Sequence, residues 1–473
     1  MQYKNFKMQS IEKILIDDLF HDSNIRESIP EIEGEYIKIN HEEENTIVSL
    51  LSRFVDFNEE KIHIIGNIFD TFTNILDEIP FAANILVEHH LMSVFDIILQ
   101  FNIQEFSLHL LEFLTRFFCK YRGDLKPIMS IKILELIKNS VLDQNYFVCK
   151  AGLNCFISLL VFDSGFISYF LENLNIEQIL SLNLTNHDIF MSAFKAIACF
   201  FLNQNIQYQP IVYNRLYNVL LEKFQSGDSE QQTIGLLCCL VCLSKHNPKE
   251  FTQYCEKFAP IVCRFLRMNN HTIIVSSLDF IYFSFFYECH SYFNFIELQQ
   301  NIELLIKYQN NHYDIVALIF KIYRLVADNL ELNGMISYNV LDFAYQFLKL
   351  DIYDLKSKAI HFLAIYIHMS NQNQVLSLLN RYNDIIIYLN DFLFAKENIV
   401  DRVLNAMYII VEMMNKGLIS EFSKQDFFGL INIQVLHELE EAYDSNTSQY
   451  VSINSCIRFL LSEYQQYLNS DLK

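Results

Sequence analysis

Small residues recur along this chain at a nearly constant interval, and each stands near the start of an apolar helical run. The recurring residues, separated by steps of 42 residues and one step of 40, are Ala151, Ala193, Gly235, Ser277, Ala317 and Ala359. A small side chain lets a neighbouring helix approach closely, and a fixed period lets each repeat cover the apolar face of the next. The sequence therefore predicts an all-α fold, a right-handed superhelical α-solenoid of stacked repeats.

The scarcity of helix breakers supports the same prediction. The 473 residues include 10 glycines and 6 prolines, and no proline follows Pro260. Average usage is about 7% glycine and 5% proline, and proline inside a helix removes a hydrogen bond and clashes with the preceding turn. Hydrophobic residues make up 52% of the chain and charged residues 19%, so a large apolar surface must be buried. These features favour helix after helix and exclude disorder for most of the chain.

The chain divides into three predicted regions. Residues 1–45 contain an amphipathic segment at Phe6–Phe20 and then an acidic stretch, so we predict an N-terminal helix and acidic extension. Residues 46–464 hold pairs of apolar helical segments, a shorter one before a longer one, which makes about ten repeats. Residues 465–473 are predicted to form a polar C-terminal tail that ends the stack.

Three prolines are predicted to mark helix starts. Pro127, Pro210 and Pro260 each stand just ahead of an apolar segment. Proline is tolerated in the first helical turn because its missing N–H has no intrahelical partner there. We therefore expect a helix to begin directly after each of these prolines.

The charge balance limits the classes of partner. The chain has 35 Lys and Arg against 56 Asp and Glu, a net charge of −21, and the basic residues are scattered singly. Such a surface repels nucleic acid, so we expect no nucleic-acid partner. The expected partner is a protein or extended peptide, and a basic segment is the better electrostatic match.

The sequence also indicates where the chain acts. The start lacks the apolar core of a signal peptide, and no uninterrupted apolar run approaches the roughly 18–20 residues that span a bilayer. Most of the 11 cysteines lie in apolar helical segments, as small core residues of a reducing compartment do. We therefore predict no membrane insertion and a cytoplasmic location, a nuclear location, or both.

The repeat pattern resembles the armadillo repeat, in which a short helix, a second helix and a longer third helix recur with a period of about 42 residues. The resemblance covers residues 46–464, and HEAT repeats, with two helices and a similar period, are the nearest alternative. The resemblance implies that third helices lie side by side and form a concave surface. It implies a non-enzymatic scaffold or adaptor that holds a segment of a partner protein along that surface.

The length and the number of repeats are also similar to those of importin-α, which carries basic nuclear-localisation peptides. This similarity implies an alternative function, a divergent nuclear-import adaptor that binds basic signals. That family holds its peptides with an array of Trp and Asn residues, and this chain contains no Trp. A regulatory or assembly subunit with a large permanent apolar interface is a third alternative.

Polar and aromatic residues that follow the small positions of five third helices are the candidates for partner contacts. Packed helices lie about 10 Å apart, so exposed residues on successive repeats can contact an extended segment at regular intervals. The candidates are Asn154, Lys195, Asp279, Tyr323 and His361. For each of them, an ordinary solvated or half-buried position is the alternative.

The densest aromatic cluster of the chain runs from Phe280 to Tyr287. One interpretation is a thick core at a junction between repeats. The other is that some of these rings face the groove and anchor a partner, as aromatic residues often do at interfaces. Stacking on single-stranded nucleic acid would need cationic neighbours, which this stretch lacks.

The sequence contains no recognisable catalytic or metal-binding motif. Cys239 and Cys242 have the spacing of half a zinc site, but they lie in an apolar helical run without a second Cys or His pair at a suitable distance. We interpret them as core residues. His89, His90 and His290 are interpreted as surface or loop residues, because neighbours on a helix point in different directions. The sequence predicts no enzyme activity, no cofactor, no metal and no small-molecule substrate.

Overall fold

The computed structural model is all-helical in the part of the chain that it describes. The described residues are 41–52, 62–79, 82–89, 91, 95, 98–99, 106–121, 123–182, 186–202, 206–226, 229–309, 312–395, 397–419, 424–443 and 451–471. They form 24 α-helices and no strand, which confirms the predicted all-α class. The predicted helix at Phe6–Phe20 and most of the acidic stretch lie outside these residues.

The chain forms two compact units, Met1–Tyr254 and Cys255–Lys473. The first unit contains α1 (His41–Ser52), α2 (Ile62–Glu78), α3 (Ala82–Glu88), α4 (Ser107–Lys120), α5 (Ile131–Val141), α6 (Tyr146–Phe162), α7 (Ile167–Asn173), α8 (Ile176–Leu180), α9 (His187–Cys199), α10 (Pro210–Ser226) and α11 (Glu230–His246). The boundary between the units falls inside α12 (Pro248–Phe265).

The longer helices of the first unit pack against each other in chain order. α2 contacts α4, α4 contacts α6, α6 contacts α9, and α9 contacts α11. The shorter helix α5 packs against α6, and α10 packs against α11, which has the same length of 17 residues. Large apolar side chains such as Phe156, Phe194 and Leu237 are fully buried between these helices. Burial of that kind is the main favourable contribution to the stability of the fold.

The second unit repeats this arrangement. Its helices are α13 (His271–Phe286), α14 (Phe295–Gln309), α15 (Tyr313–Asp328), α16 (Leu330–Asn333), α17 (Tyr338–Leu348), α18 (Tyr353–Met369), α19 (Gln372–Arg381), α20 (Ile385–Asp391), α21 (Glu397–Asn415), α22 (Lys424–Leu430), α23 (Ile433–Tyr443) and α24 (Val451–Asp471). The longer helices again pack in chain order, α13 on α15, α15 on α18, α18 on α21, and α21 on α24.

Side-chain hydrogen bonds join residues about one repeat apart in both units. In the first unit, Lys150 Nζ donates to Asp188 Oδ2 at 2.7 Å, across 38 residues of sequence. In the second unit, Lys424 Nζ donates to Glu463 Oε2 at 2.7 Å, across 39 residues. These bonds and the order of helix packing give each unit a repeat-like architecture.

The recurring small residues allow the close helix approach that the sequence predicts. Five of the six are buried, and Ala317 is half-buried. A methyl group on Gly235 of α11 would lie 2.9 Å from the Met191 Cα atom and 3.0 Å from the Met191 carbonyl oxygen on α9. Gly152 of α6 is equally close to α5, since a methyl group there would lie 2.7 Å from the Ser140 carbonyl carbon. Close approach is thus confirmed at Gly235, and Gly152 adds a second close contact.

Two of the three prolines do not begin helices as predicted. Pro210 is the first residue of α10, as expected, but Pro127 lies in a turn ahead of α5, and Pro260 lies inside α12. α12 starts earlier, at Pro248, and buries Phe251, Cys255, Phe258 and Val262 at helical spacing. That continuous apolar face outweighs the hydrogen bond that Pro260 cannot donate.

The C-terminal segment is more ordered than a polar tail. α24 continues to Asp471 and so includes most of the residues assigned to the tail. Of residues 465–469, all are exposed except Tyr467, which is half-buried. Good helix-forming residues propagate a helix beyond its packed part, because each added residue gains a hydrogen bond.

All 11 cysteines are buried, and none forms a disulfide bond. Cys239 and Cys242 lie within α11, where both are buried. Burial raises the pKa of the Cys239 thiol well above its usual value, which keeps the thiol neutral. The interpretation of this pair as core residues is confirmed.

Candidate binding surface

The aromatic run of α13 is divided between the core and the surface. Phe280 and Phe285 are buried, 0% and 7% exposed. Four other rings, at the following positions, point away from that core and form what we call the aromatic patch: Tyr282, Phe283, Phe286 and Tyr287. Residues at this spacing share one side of a helix. Some residues of the run therefore belong to the core, as the first interpretation expects, and others lie at the surface, where the second interpretation needs them.

The rings of the aromatic patch form one contiguous surface. Phe286 is 53% exposed, and the other three rings are half-buried. The Tyr282 ring centroid lies 5.3 Å from that of Phe283 and 6.1 Å from that of Phe286, and Phe286 lies 5.2 Å from Tyr287. These distances are in the range of favourable ring contacts. The rings thus hold one another in place while offering an outer surface to solvent.

A cation on the next long helix borders the aromatic patch. The Lys321 Nζ atom on α15 lies 5.9 Å from the Tyr282 ring centroid. Burial lowers the pKa of Lys321, and the carboxylate of Asp279 opposes that shift. Lys321 is therefore only partly hydrated and lies near both an aromatic face and a carboxylate.

Charged side chains continue this surface across α15, α18 and α21. The Arg402 Nη1 atom of α21 lies 3.6 Å from the Asp328 Oδ1 atom of α15, so this ion pair bridges two helices that flank α18. Half-buried His361 of α18 lies near Arg324 and Arg402, and burial together with these two cations lowers its pKa to about 4. We call the set Lys321, Arg324, His361 and Arg402 the polar ridge.

The five residues predicted from the sequence occupy different environments. Asn154 is half-buried in the first unit, where its Oδ1 atom accepts a hydrogen bond from Ser192 Oγ at 3.2 Å. Lys195, also in the first unit, is 2% exposed. In the second unit, Asp279 is 5% exposed and Tyr323 is 1% exposed, whereas His361 is half-buried within the polar ridge. Asp279 lies near Lys321, and Arg324 lies near both Lys321 and His361.

The exposure expected for three of these residues is corrected. Lys195, Asp279 and Tyr323 are buried because flanking helices cover their side of the long helix. The Tyr323 ring packs 5.8 Å from the Phe362 ring in the core of the second unit. Partner contact by the five residues remains a prediction.

Sequence reasoning missed Lys321, Arg324 and Arg402. Lys321 follows Asp279 by 42 residues, the repeat interval, and Arg324 follows Tyr282 by the same interval. Applying the period to the aromatic run would therefore have found two of the three. The Arg402–Asp328 pair has no sequence signal, because it joins helices that are not consecutive in the packing order.

Two groups of side chains in the described residues could each hold a metal ion. One, in the first unit, contains Asp70, His109 and Glu112, and the other, in the second unit, contains His271, His312 and Asp314. In each group the potential ligand atoms all lie within 4.8 Å of one another. Nitrogen and oxygen donors of these types are ligands of divalent transition metals.

No single helix in the described part of the chain is both long and apolar enough to cross a bilayer. Two helical segments, Tyr146–Phe162 and Ser164–Glu172, have sufficient length and apolar composition only when taken together, and they meet at a bend of 114°.

Comparisons with known proteins define the class of fold and nothing narrower. No protein-family model and no curated protein matches the chain. The structure is similar to the crystal structure of an engineered protein, with a TM-score of 0.60 and 12% sequence identity, over 90% of this chain and 98% of the other. At that identity the similarity concerns the fold alone. The chain is an all-α protein of repeat-like architecture.

Proposed function

We propose that this chain is a non-enzymatic scaffold or adaptor that binds a segment of a partner protein along an armadillo-like solenoid of about ten repeats. The ordered packing of successive long helices in each unit supports the solenoid, as do hydrogen bonds that recur across 38 or 39 residues. Stacked repeats present equivalent helix faces side by side, which suits an extended partner.

The aromatic patch is the observation that carries this proposal. Its rings pack against one another, and their outer faces are in contact with solvent. A partner can bury this apolar surface. Tyrosine and other large aromatic residues are enriched at the energetic centres of interfaces. Because the four rings already contact each other, a partner orders few additional side chains on binding.

The position of the polar ridge beside the aromatic patch suggests how a partner segment is oriented and which residue types it contains. An apolar side chain of the partner covers Phe286 and Tyr282, and the following residues pass along Lys321, Arg324 and Arg402. Lys321, Arg324 and Arg402 offer N–H donors to a carboxylate of the partner, although Asp279 and Asp328 already offset part of their charge and the chain as a whole carries a net charge of −21. The proposed partner segment therefore has an aromatic or aliphatic residue followed by an acidic one.

Selection from a random peptide library followed by anisotropy titration tests the proposal. Peptides are selected on the full chain, and their Kd values are compared with those of the double variant Tyr282→Ala/Phe286→Ala. Loss of a central aromatic pair is expected to cost at least about 2 kcal/mol, a weakening of about 30-fold. Phe394→Ala is the matched control, because Phe394 is also exposed in the second unit, at 69%, but lies outside the patch.

The same titration distinguishes the nuclear-import alternative. Equal binding of selected peptides to the wild type and the double variant would overturn the proposed surface. Tight binding of a Lys/Arg-rich localisation peptide over a scrambled peptide of the same composition would favour an importin-like adaptor instead. Exposed charge pairs are screened beyond about 10 Å at 0.1 M salt, so nonspecific basic-peptide binding should vanish at physiological salt.

A further inference from the structure

Two histidines and an aspartate converge where α13 and α15 begin. His271 Nε2 lies 2.9 Å from Asp314 Oδ2 and 3.1 Å from Asp314 Oδ1. The His271 and His312 ring centroids are 5.0 Å apart, with the ring planes inclined by 45°. We propose that His271, His312 and Asp314 form a binding site for a divalent transition-metal ion, with Zn²⁺ as the preferred metal.

Neither histidine side chain caps its helix. Asn270 caps α13, since its side chain accepts a hydrogen bond from the Ile273 N–H at 3.1 Å. His271 is therefore not needed for capping. His312 occupies the N-cap position of α15, but its side chain makes no capping hydrogen bond and is exposed.

The donor set suits zinc better than the alkaline-earth ions. Imidazole nitrogen and carboxylate oxygen bind Zn²⁺ at about 2.0–2.2 Å, and tetrahedral geometry then places ligand atoms about 3.4 Å apart. The three ligand atoms lie within 4.8 Å of one another, so closing around the ion needs only small side-chain movements. Ca²⁺ and Mg²⁺ prefer sets made of oxygen atoms.

Partial burial supports a site with one open position. The side chains of His271 and Asp314 are 27% and 32% exposed, so the ion would sit at the surface with a fourth position for water or a donor from a partner. The positive ends of α13 and α15 oppose a cation, but this effect is screened by salt and the Asp314 carboxylate counters it. A bound ion would link two successive long helices of the second unit.

Other histidines at comparable positions lack this donor set. His187 begins α9 as His271 begins α13, and 84 residues separate the two, twice the repeat interval. The Nδ1 atom of His187 lies 3.0 Å from Ser229 Oγ, 42 residues further on, where His271 instead meets Asp314. His187 is therefore an internal control, because it is a histidine at the start of a long helix whose partner one repeat further on is a hydroxyl and not a carboxylate.

Calorimetric titration of the full chain with Zn²⁺, after removal of metal with a chelator, tests the site. The titration uses the His109→Asn background, which removes the only imidazole of the Asp70, His109 and Glu112 group. In that background we expect one equivalent of Zn²⁺ to bind, and His312→Asn to weaken binding at least about tenfold. Asparagine is a preferred N-cap residue, so this variant keeps the start of α15. His187→Asn is expected to bind Zn²⁺ as the wild type does.

A second readout identifies the ligands directly. Co²⁺ bound by two imidazoles and a carboxylate should give a visible absorption spectrum that disappears in His312→Asn and persists in both His187→Asn and His109→Asn. The last variant removes the single imidazole of the Asp70, His109 and Glu112 group. Absence of Zn²⁺ binding to the wild type, or binding that is unchanged in the double variant His109→Asn/His312→Asn relative to His109→Asn, would overturn the proposal.

Discussion

Two phenylalanine-rich regions of the molecule use the same kind of side chain in opposite ways. In the first unit, Phe69, Phe95, Phe106, Phe113 and Phe117 are at most 1% exposed and contact one another. In the second unit, the aromatic patch of α13 keeps its rings at the surface. The two clusters have similar composition, so the position of each ring around its helix, and not the residue type, decides whether the ring is buried.

The spacing of the rings explains this difference. Phe106 is the N-cap residue of α4, and Phe113 and Phe117 follow it after seven and four residues, so the three rings fall on one side of this helix. The α13 run has aromatic residues at nearly every position from Phe280 to Tyr287, so they surround the helix. One side of α13 is enough to fill the core, and the remaining rings must face outward.

The largest effect is expected in the buried cluster. Phe113 contacts the rings of Phe69, Phe72, Phe95 and Phe117. Phe113→Ala should therefore lower the free energy of unfolding by about 3–5 kcal/mol, because it removes buried apolar surface and leaves a cavity. Urea denaturation followed by far-UV circular dichroism measures this loss, and a change below about 1 kcal/mol would contradict the buried cluster.

The next effect tests how tightly the helices of the first unit approach. Gly235→Ala places a methyl group 2.9 Å from the Met191 Cα atom, a backbone contact that cannot rotate away. We expect a loss of about 1–3 kcal/mol in the same assay. Gly429→Ala is the matched control, since a methyl group at Gly429 of α22 meets nothing within 4 Å and should be neutral or stabilising. Equal effects at the two glycines would contradict the close approach of α9 and α11.

A smaller effect on stability is expected when the pH is lowered, because the polar ridge beside the aromatic patch contains a histidine. Burial, Arg324 and Arg402 lower the pKa of His361 from 6.5 to about 4. Protons then bind preferentially to the unfolded chain, so the contribution of His361 is complete above about pH 6.5 and is lost as the pH falls toward 4.

Replacing His361 isolates this contribution. We expect His361→Gln to remove about 1 kcal/mol of the loss in unfolding free energy between pH 7.5 and pH 5, after allowance for solvent screening at the exposed part of the ring. Burial also lowers the pKa of His368, so some pH dependence should remain in the variant. If the urea midpoint shifts between pH 7.5 and pH 5 by the same amount in His361→Gln as in the wild type, His361 is hydrated in the folded chain.

The smallest effect is expected at the surface cluster. Phe286→Ala removes a ring that is 53% exposed, so the unfolding free energy should change by no more than about 0.5 kcal/mol. The same assay as for Phe113→Ala gives the comparison directly. A loss as large as that of Phe113→Ala would place Phe286 in the core and remove the basis of the aromatic patch.

The helical class and the repeat interval could be predicted from the sequence because they depend on local periodicity. The period of 42 residues correctly identified the close approach at Gly235, and it also relates Asp279 to Lys321. Burial of Lys195, Asp279 and Tyr323 could not be predicted, since it depends on how flanking helices cover each long helix. The spacing of 43 residues between His271 and Asp314 is close to the repeat interval. Even so, the convergence of His271, His312 and Asp314 could not be predicted, because it depends on the three-dimensional contact of α13 with α15.

A single tryptophan at position 286 tests the outward-facing patch most directly. The chain contains no Trp, so Phe286→Trp introduces a unique fluorophore, and Phe394→Trp provides the same probe at an exposed site outside the patch. Acrylamide should quench both probes readily in the free protein. Saturation with a peptide selected on the wild type should protect Trp at position 286 and leave Trp at position 394 accessible. Peptide binding that leaves quenching at position 286 unchanged would contradict the aromatic patch as the binding surface.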